Sequence, residues 1–177
     1  AGDELELAAN FYPPRSFAVY QALGLARYNQ KRWGDAILAF RKSLEYHPNN
    51  DVVYLYLGMA WAQRSNYSEA VKYLHQAVEL NKWSQKSRFE FGKVLGASGD
   101  IPAAIDELQI AIAIKPAAEI YNELGGNHRR VGNLDTAVDN YLKGLALGPE
   151  DPELWNSLGV VYVEQGRFEA ACEVFKN

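Results

Sequence analysis

The chain has 177 residues, a length that fits one ordinary domain or a short array of repeats. Hydrophobic residues make up 48% and charged residues 23%, a globular balance that argues against intrinsic disorder, and the net charge of −4 argues against a general nucleic-acid binder. No apolar run is long enough for direct membrane insertion, no leader of basic, apolar and small residues opens the chain, and the single Cys172 permits no internal disulfide.

In chain order, residues 1–16 precede the first of five repeats and align in part with the second half of one. Ala9 falls where Ala77 and Ala111 fall, and Pro14 where Pro48 and Pro116 fall, whereas Glu6 falls where a large apolar residue is expected. The segment is therefore either a remnant half-repeat or a flexible tail. The repeat itself is set by Leu23-Gly24, Leu57-Gly58, Phe91-Gly92, Leu124-Gly125 and Leu158-Gly159, with glycine spacings of 34, 34, 33 and 34. Twelve residues after each glycine comes an alanine: Ala36, Ala70, Ala104, Ala137 and Ala171. Four residues further on comes a large apolar side chain: Phe40, Leu74, Leu108, Tyr141 and Phe175. The repeats run over 17–50, 51–84, 85–117, 118–151 and an incomplete 152–177.

Each repeat reads as two amphipathic helices. In the second, Tyr54, Leu57, Gly58 and Trp61 share one face of a helix predicted over Asp51–Arg64, and Ala70, Leu74 and Ala77 one face of a helix near Tyr67–Leu80. Gly58 admits the partner helix closely, and Leu74 is the knob that uses the space. Gly99-Asp100 and Gly132-Asn133 suit the tight turns between helices, and Asp151-Pro152 is a helix start in which Asp caps and Pro takes the first helical position. A single hairpin cannot bury its apolar stripe alone; stacked neighbours can.

Tyr20-Leu23-Gly24, Tyr54-Leu57-Gly58-Trp61, Tyr121-Leu124-Gly125 and Trp155-Leu158-Gly159-Tyr162, with the alanines, aromatics and prolines above, resemble tetratricopeptide repeats over residues 17–177. The resemblance implies an all-α fold, a right-handed α-solenoid of antiparallel helix hairpins. Arg27 and His128 stand where that family prefers a buried tyrosine, Arg88 where it prefers an aromatic, and Lys82 where it closes with proline.

The resemblance also implies that first helices line a concave groove binding a peptide or protein segment. In the first three repeats the groove positions are Leu25, Tyr28, Leu55, Tyr56, Met59, Phe89 and Lys93, an apolar and aromatic stretch. Asn122, Arg129, Arg130 and Asn156 follow, suited to a carboxylate or to the backbone of an extended peptide. Three alternatives stand beside this, the first being that residues 1–12 fold into the groove and fill it. The apolar residues serve only to pack first helices together, and Glu119, Glu123 and Glu153 simply pair with the arginines. The clamp by which related co-chaperones grip acidic heat-shock tails is absent: of Gln21, Leu25, Tyr56, Lys86 and Glu90, only Lys86 agrees with it.

No catalytic, metal or cofactor constellation emerges. His47, His75 and His128 lie in three different repeats, and Gly96-Ala97-Ser98-Gly99 lacks the Lys-Ser/Thr ending of a phosphate loop. The expected role is a protein–protein interaction scaffold and not an enzyme. The alternatives are a module that self-assembles into a homo-oligomer through its ends, or a regulatory or targeting arm of a larger enzyme. Repeat one carries +3 while repeats four and five carry −3 and −2, which is read either as head-to-tail attraction or as solvated helix faces whose exposed charges contribute little each. A start at Ala1 instead of Met points to a segment of a longer protein, placed in the cytoplasm, or in the periplasm if a leader was removed.

Overall fold

The computed structural model describes residues 16–176; the half-repeat expected over residues 1–16 lies almost wholly outside them. Ten α-helices and no strand occur among the described residues. They are α1 (Ser16–Asn29), α2 (Trp33–Tyr46), α3 (Asp51–Gln63), α4 (Tyr67–Leu80) and α5 (Gln85–Ser98), then α6 (Ile101–Ile114), α7 (Ala118–Arg130), α8 (Leu134–Leu147), α9 (Pro152–Glu164) and α10 (Phe168–Val174). Two compact halves are distinguished, residues 1–94 and 95–177.

In the N-terminal half, α1 with α2 and α3 with α4 form hairpins. The recurrent glycines make these hairpins tight. A methyl group on Gly58 would stand 2.6 Å from Leu74 Cγ, so Leu74 occupies space that only glycine leaves open. Gly24 gives the same room to the ring of Phe40. Between hairpins, α2 and α3 share a core in which Ala36, Phe40, Val53, Leu57 and Ala60 are fully buried. Trp61 and Tyr73 pack against the same core.

The C-terminal half repeats the scheme. A methyl group on Gly125 would lie 2.6 Å from Tyr141 Cε1, and one on Gly144 would lie 2.8 Å from Leu154. Ala137, Tyr141, Leu154, Leu158 and Val161 form the buried centre where α8 meets α9. The five repeat alanines are all buried.

Caps fix where several helices begin. The side chains of Asn50, Asn66 and Asp100 accept from the amides of Val53, Glu69 and Ala103, and Asp151 accepts from Glu153 and Leu154. Inside each hairpin the turn passes through a left-handed residue: Lys31, Ser65, Gly99, Gly132 and Gly166, with φ from 58° to 99°. Their spacing follows that of the helix glycines, so the reversal belongs to the repeat.

Departures from the family pattern have local remedies. In the fifth repeat the Trp155 indole Nε1 donates to the carbonyl of Pro149, six residues back, at 2.7 Å. In the third, Arg88 Nε donates to the carbonyl of Lys82 at 3.2 Å, also six residues back. The guanidinium reproduces the indole's bond to the chain end that feeds the helix. The loss of both the aromatic and the proline is thereby tolerated.

Candidate functional site

Within the N-terminal half, the first-helix face carries an aromatic patch. Tyr28, in the last turn of α1, meets Tyr56 on α3 edge-on with ring centroids 5.5 Å apart. Trp33, the first residue of α2, closes on Tyr28 at 4.9 Å. Lys86, from α5, sets its ammonium 4.7 Å from the centroid of Tyr56 and donates to the phenol oxygen at 3.0 Å. Further along α5, Lys93 Nζ lies 5.1 Å from the Phe89 centroid and 3.7 Å from Glu90 Oε2. The face therefore offers aromatic surface with two ammonium groups laid along it.

Leu25, Tyr28, Tyr56, Met59, Phe89 and Lys93 are half-buried, so each is anchored by packing and still presents part of its surface. Leu55 differs: it is 5% exposed and belongs to the core. The hydroxyl of Tyr28 is pushed above its ordinary pKa, first by burial, then by the Glu90 carboxylate and by Tyr56. It remains a neutral phenol, able to donate or accept, at any physiological pH. An exposed cation over an aromatic ring contributes about 0.5–1 kcal/mol. These contacts thus orient the lysines without committing them wholly to the protein.

The polar residues expected of the later repeats lie in the C-terminal half and do not act alike. Arg129 points its Nη1 at Glu164 Oε1, 3.3 Å away, an exposed pair contributed by α7 and α9. Arg130 turns to the backbone and donates to the carbonyl of Gly96 at 2.5 Å. Asn122 is half-buried on α7, and Asn156 is exposed on α9. Beside them Asn127 is buried; its amide donates to the carbonyl of Glu123 at 2.8 Å, and its oxygen fills the space beside Gly96. His128 is half-buried with Nδ1 lacking a hydrogen-bond partner, and burial pushes its pKa below the ordinary value. An exposed ion pair is worth at most about 1 kcal/mol, and a guanidinium has five donors, so Arg129 keeps capacity for a ligand.

Trp33 is not among the groove positions expected from the sequence. The turn of only three residues between α1 and α2 brings it against Tyr28. Its position immediately after a first helix is the signal that marks it.

Among the described residues, no helix is long and apolar enough to cross a membrane, and no group of three or more His, Cys, Asp or Glu residues is disposed to hold a metal ion. Cys172 is exposed.

The chain matches two repeat-family models, "Tetratricopeptide repeat" over residues 7–82 and "TPR repeat" over residues 128–166, together well over half of its length. Among curated proteins it is 27% identical over 138 residues to the anaphase-promoting complex subunit cut9 of Schizosaccharomyces pombe, covering 73% of this chain and 21% of that protein. The chain thus spans about a fifth of the length of that relative. Among solved structures, a crystal structure of MamA protein is 28% identical and superposes with a TM-score of 0.83 over 92% of this chain and 89% of that one. YrrB, described as a TPR protein with an unusual peptide-binding site, is 23% identical with a TM-score of 0.77 over 88% and 84% of the two chains. The fold class is the all-α helix-hairpin solenoid expected from the sequence. The repeat signature, the helix hairpins and both family models agree, and the chain belongs to the tetratricopeptide repeat family.

Proposed function

We propose that the chain is a protein-interaction scaffold that holds a peptide or protein segment on its first-helix face, with the Tyr28–Tyr56 patch as the apolar anchor. The tetratricopeptide fold is a scaffold fold and generally non-enzymatic. The observation that carries the reading is the half-buried state of Tyr28, Tyr56, Met59 and Phe89 on one face, beside ammonium groups from Lys86 and Lys93. Rigid aromatics with little entropy to lose, and an adaptable Met, are the residue types that dominate peptide interfaces. The peptide-binding description of YrrB, a fold neighbour, supports the same reading.

The ligand this face would take is an apolar or aromatic side chain flanked by a carboxylate, the former on the rings and the latter on Lys86 or Lys93. Arg129, Asn122 and Asn156 would supply polar contacts to a ligand of the C-terminal half. Selection from a displayed random-peptide library tests this. Peptides enriched on the wild type and lost on a Tyr56→Ala, Met59→Asp variant, with an aromatic next to an acid, are the expected outcome. Enrichment that is equal on both proteins would remove the patch as the site. Leu55 is unsuited to the test, because a charge there would enter the core.

A further inference from the structure

The turn between α4 and α5 carries a side chain that the fold barely uses. Of the four tryptophans, Trp33, Trp61 and Trp155 are half-buried, whereas Trp83 is 81% exposed. Leu80, three residues earlier, is 41% exposed. Single exposed apolar residues are ordinary, but an indole this bare leaves a large apolar area in water.

The other repeats show that the architecture does not ask for it. Counted back from the glycine of each repeat, Trp83 stands where the second repeat has Asn49 and the fifth has Glu150. The place takes a polar residue in those repeats, and the charge around it is reversed here. Residues 80–89 hold three basic side chains, Lys82, Lys86 and Arg88, and no acidic one. The equivalent residues 147–156 hold three acidic ones, Glu150, Asp151 and Glu153, and no basic one.

Trp83 also stands on a fixed support. The Ser84 amide donates to the carbonyl of Asn81 at 3.2 Å, and the Asn81 side chain donates to the Asp51 carboxylate at 2.8 Å. The Ser84 hydroxyl oxygen accepts from the amide of Ser87 at 3.2 Å, and Arg88 Nε donates to the carbonyl of Lys82 at 3.2 Å. The turn is therefore ordered before any partner arrives, and a rigid indole held in this way loses little entropy on binding.

We propose that Trp83 and Lys82 form a second docking point, apart from the Tyr28–Tyr56 patch, for an acidic segment of a partner protein that carries an apolar side chain. The apolar side chain lies on the indole, and a carboxylate lies on the Lys82 ammonium. Lys86, held over Tyr56, and Arg88, bonded to the turn, add positive field and need not touch the ligand. Charge complementarity selects the partner. A tryptophan among cations also suits an anionic lipid surface. Yet the carboxylates of Asp51, bonded to Asn81, and of Glu79, four residues before Trp83, border the turn. A broad anionic surface would meet both, whereas a narrow acidic segment need meet neither.

Panning a displayed random-peptide library on the wild-type protein tests this, with single peptides then titrated into wild type, Trp83→Ala, Lys82→Glu and Met59→Asp, each checked for wild-type helicity. The expected result is a class of peptides with an apolar residue beside Asp or Glu. Their affinity falls at least about tenfold in Trp83→Ala and about threefold in Lys82→Glu, weakens with added salt, and stays within about twofold in Met59→Asp. Absence of any acidic class that depends on Trp83 would overturn the proposal. Peptides lost in Met59→Asp and kept in Trp83→Ala would overturn it too, while supporting the first-helix face. Binding to vesicles of phosphatidylserine and phosphatidylcholine that is lost in Trp83→Ala would make the occupant a lipid surface and overturn it. Self-association that is lost in Trp83→Ala would do the same, the occupant then being a second copy.

Discussion

The Lys86 ammonium sits 4.7 Å from the centre of the Tyr56 ring and donates to that ring's hydroxyl at 3.0 Å. One side chain thus makes both a cation–ring contact and a hydrogen bond, at the edge of an aromatic patch. Lys86 is exposed, so removing it costs the fold little, no more than about 1 kcal/mol. Lys86→Ala is expected to leave the thermal midpoint within a few degrees while weakening an acidic ligand severalfold at low salt. A larger fall in the midpoint, followed by calorimetry, would make the lysine structural.

The helix glycines carry a sharper energetic prediction. Gly58→Val places its Cβ 2.6 Å from Leu74 Cγ and is expected to lower stability by about 1–3 kcal/mol through overpacking. Gly34 is also helical, but a Cβ there meets nothing within 4 Å. Gly34→Ala is expected to raise stability by about 0.5–1 kcal/mol, since alanine loses less entropy in a helix. Denaturant melts of the two variants give the comparison directly.

Much of the fold was legible in the sequence because it rests on residues that recur. Helix α4 falls on the expected Tyr67–Leu80, and α3 ends at Gln63, one residue short of expectation. Gly58 with Leu74 and Gly125 with Tyr141 pack as the spacing required. What the sequence hid were contacts that the repeat does not dictate. Leu55 shares its helix with Tyr56 yet turns into the core, and Arg130 turns from the groove to the Gly96 carbonyl, while its neighbour Arg129 reaches Glu164. Adjacent residues on a helix point about 100° apart, so a groove assignment by face alone blurs such pairs. The left-handed Lys31 and Ser65 also escaped notice, since neither residue type announces that conformation.

The left-handed turns at Gly99 and Ser65 yield a paired prediction. Gly99 has φ of 99° and Ser65 has φ of 58° at equivalent places. Gly99→Ala is expected to lower stability by about 1–2 kcal/mol, the cost of a side chain in the left-handed region. Ser65→Gly relieves that strain and is expected to be neutral or slightly stabilising. Equal losses in both, by thermal melts, would mean that the side chain of Ser65 matters more than its backbone.

His128 predicts a pH dependence. Burial lowers its pKa in the folded state, so the unfolded chain binds the proton more readily. Stability is therefore full above the unfolded value, near 6.5, and falls as pH drops through the folded value. His128→Tyr restores the residue type common in the family, and it is expected to flatten the profile between pH 7 and about 5.5, above the range where carboxylates titrate. An identical slope in the variant would assign the dependence elsewhere.

The most direct test of the binding role uses a peptide selected on the wild-type protein, titrated by calorimetry into wild type, Tyr56→Ala and Arg41→Ala. Tyr56 is in the aromatic patch, and Arg41 is an exposed residue of α2 outside it. Loss of a buried aromatic anchor costs at least about 2 kcal/mol, so affinity is expected to fall thirtyfold or more in Tyr56→Ala and to stay within twofold in Arg41→Ala. Unchanged affinity in Tyr56→Ala, with its helicity intact, would contradict the account and remove the first-helix face of residues 17–94 as the binding surface.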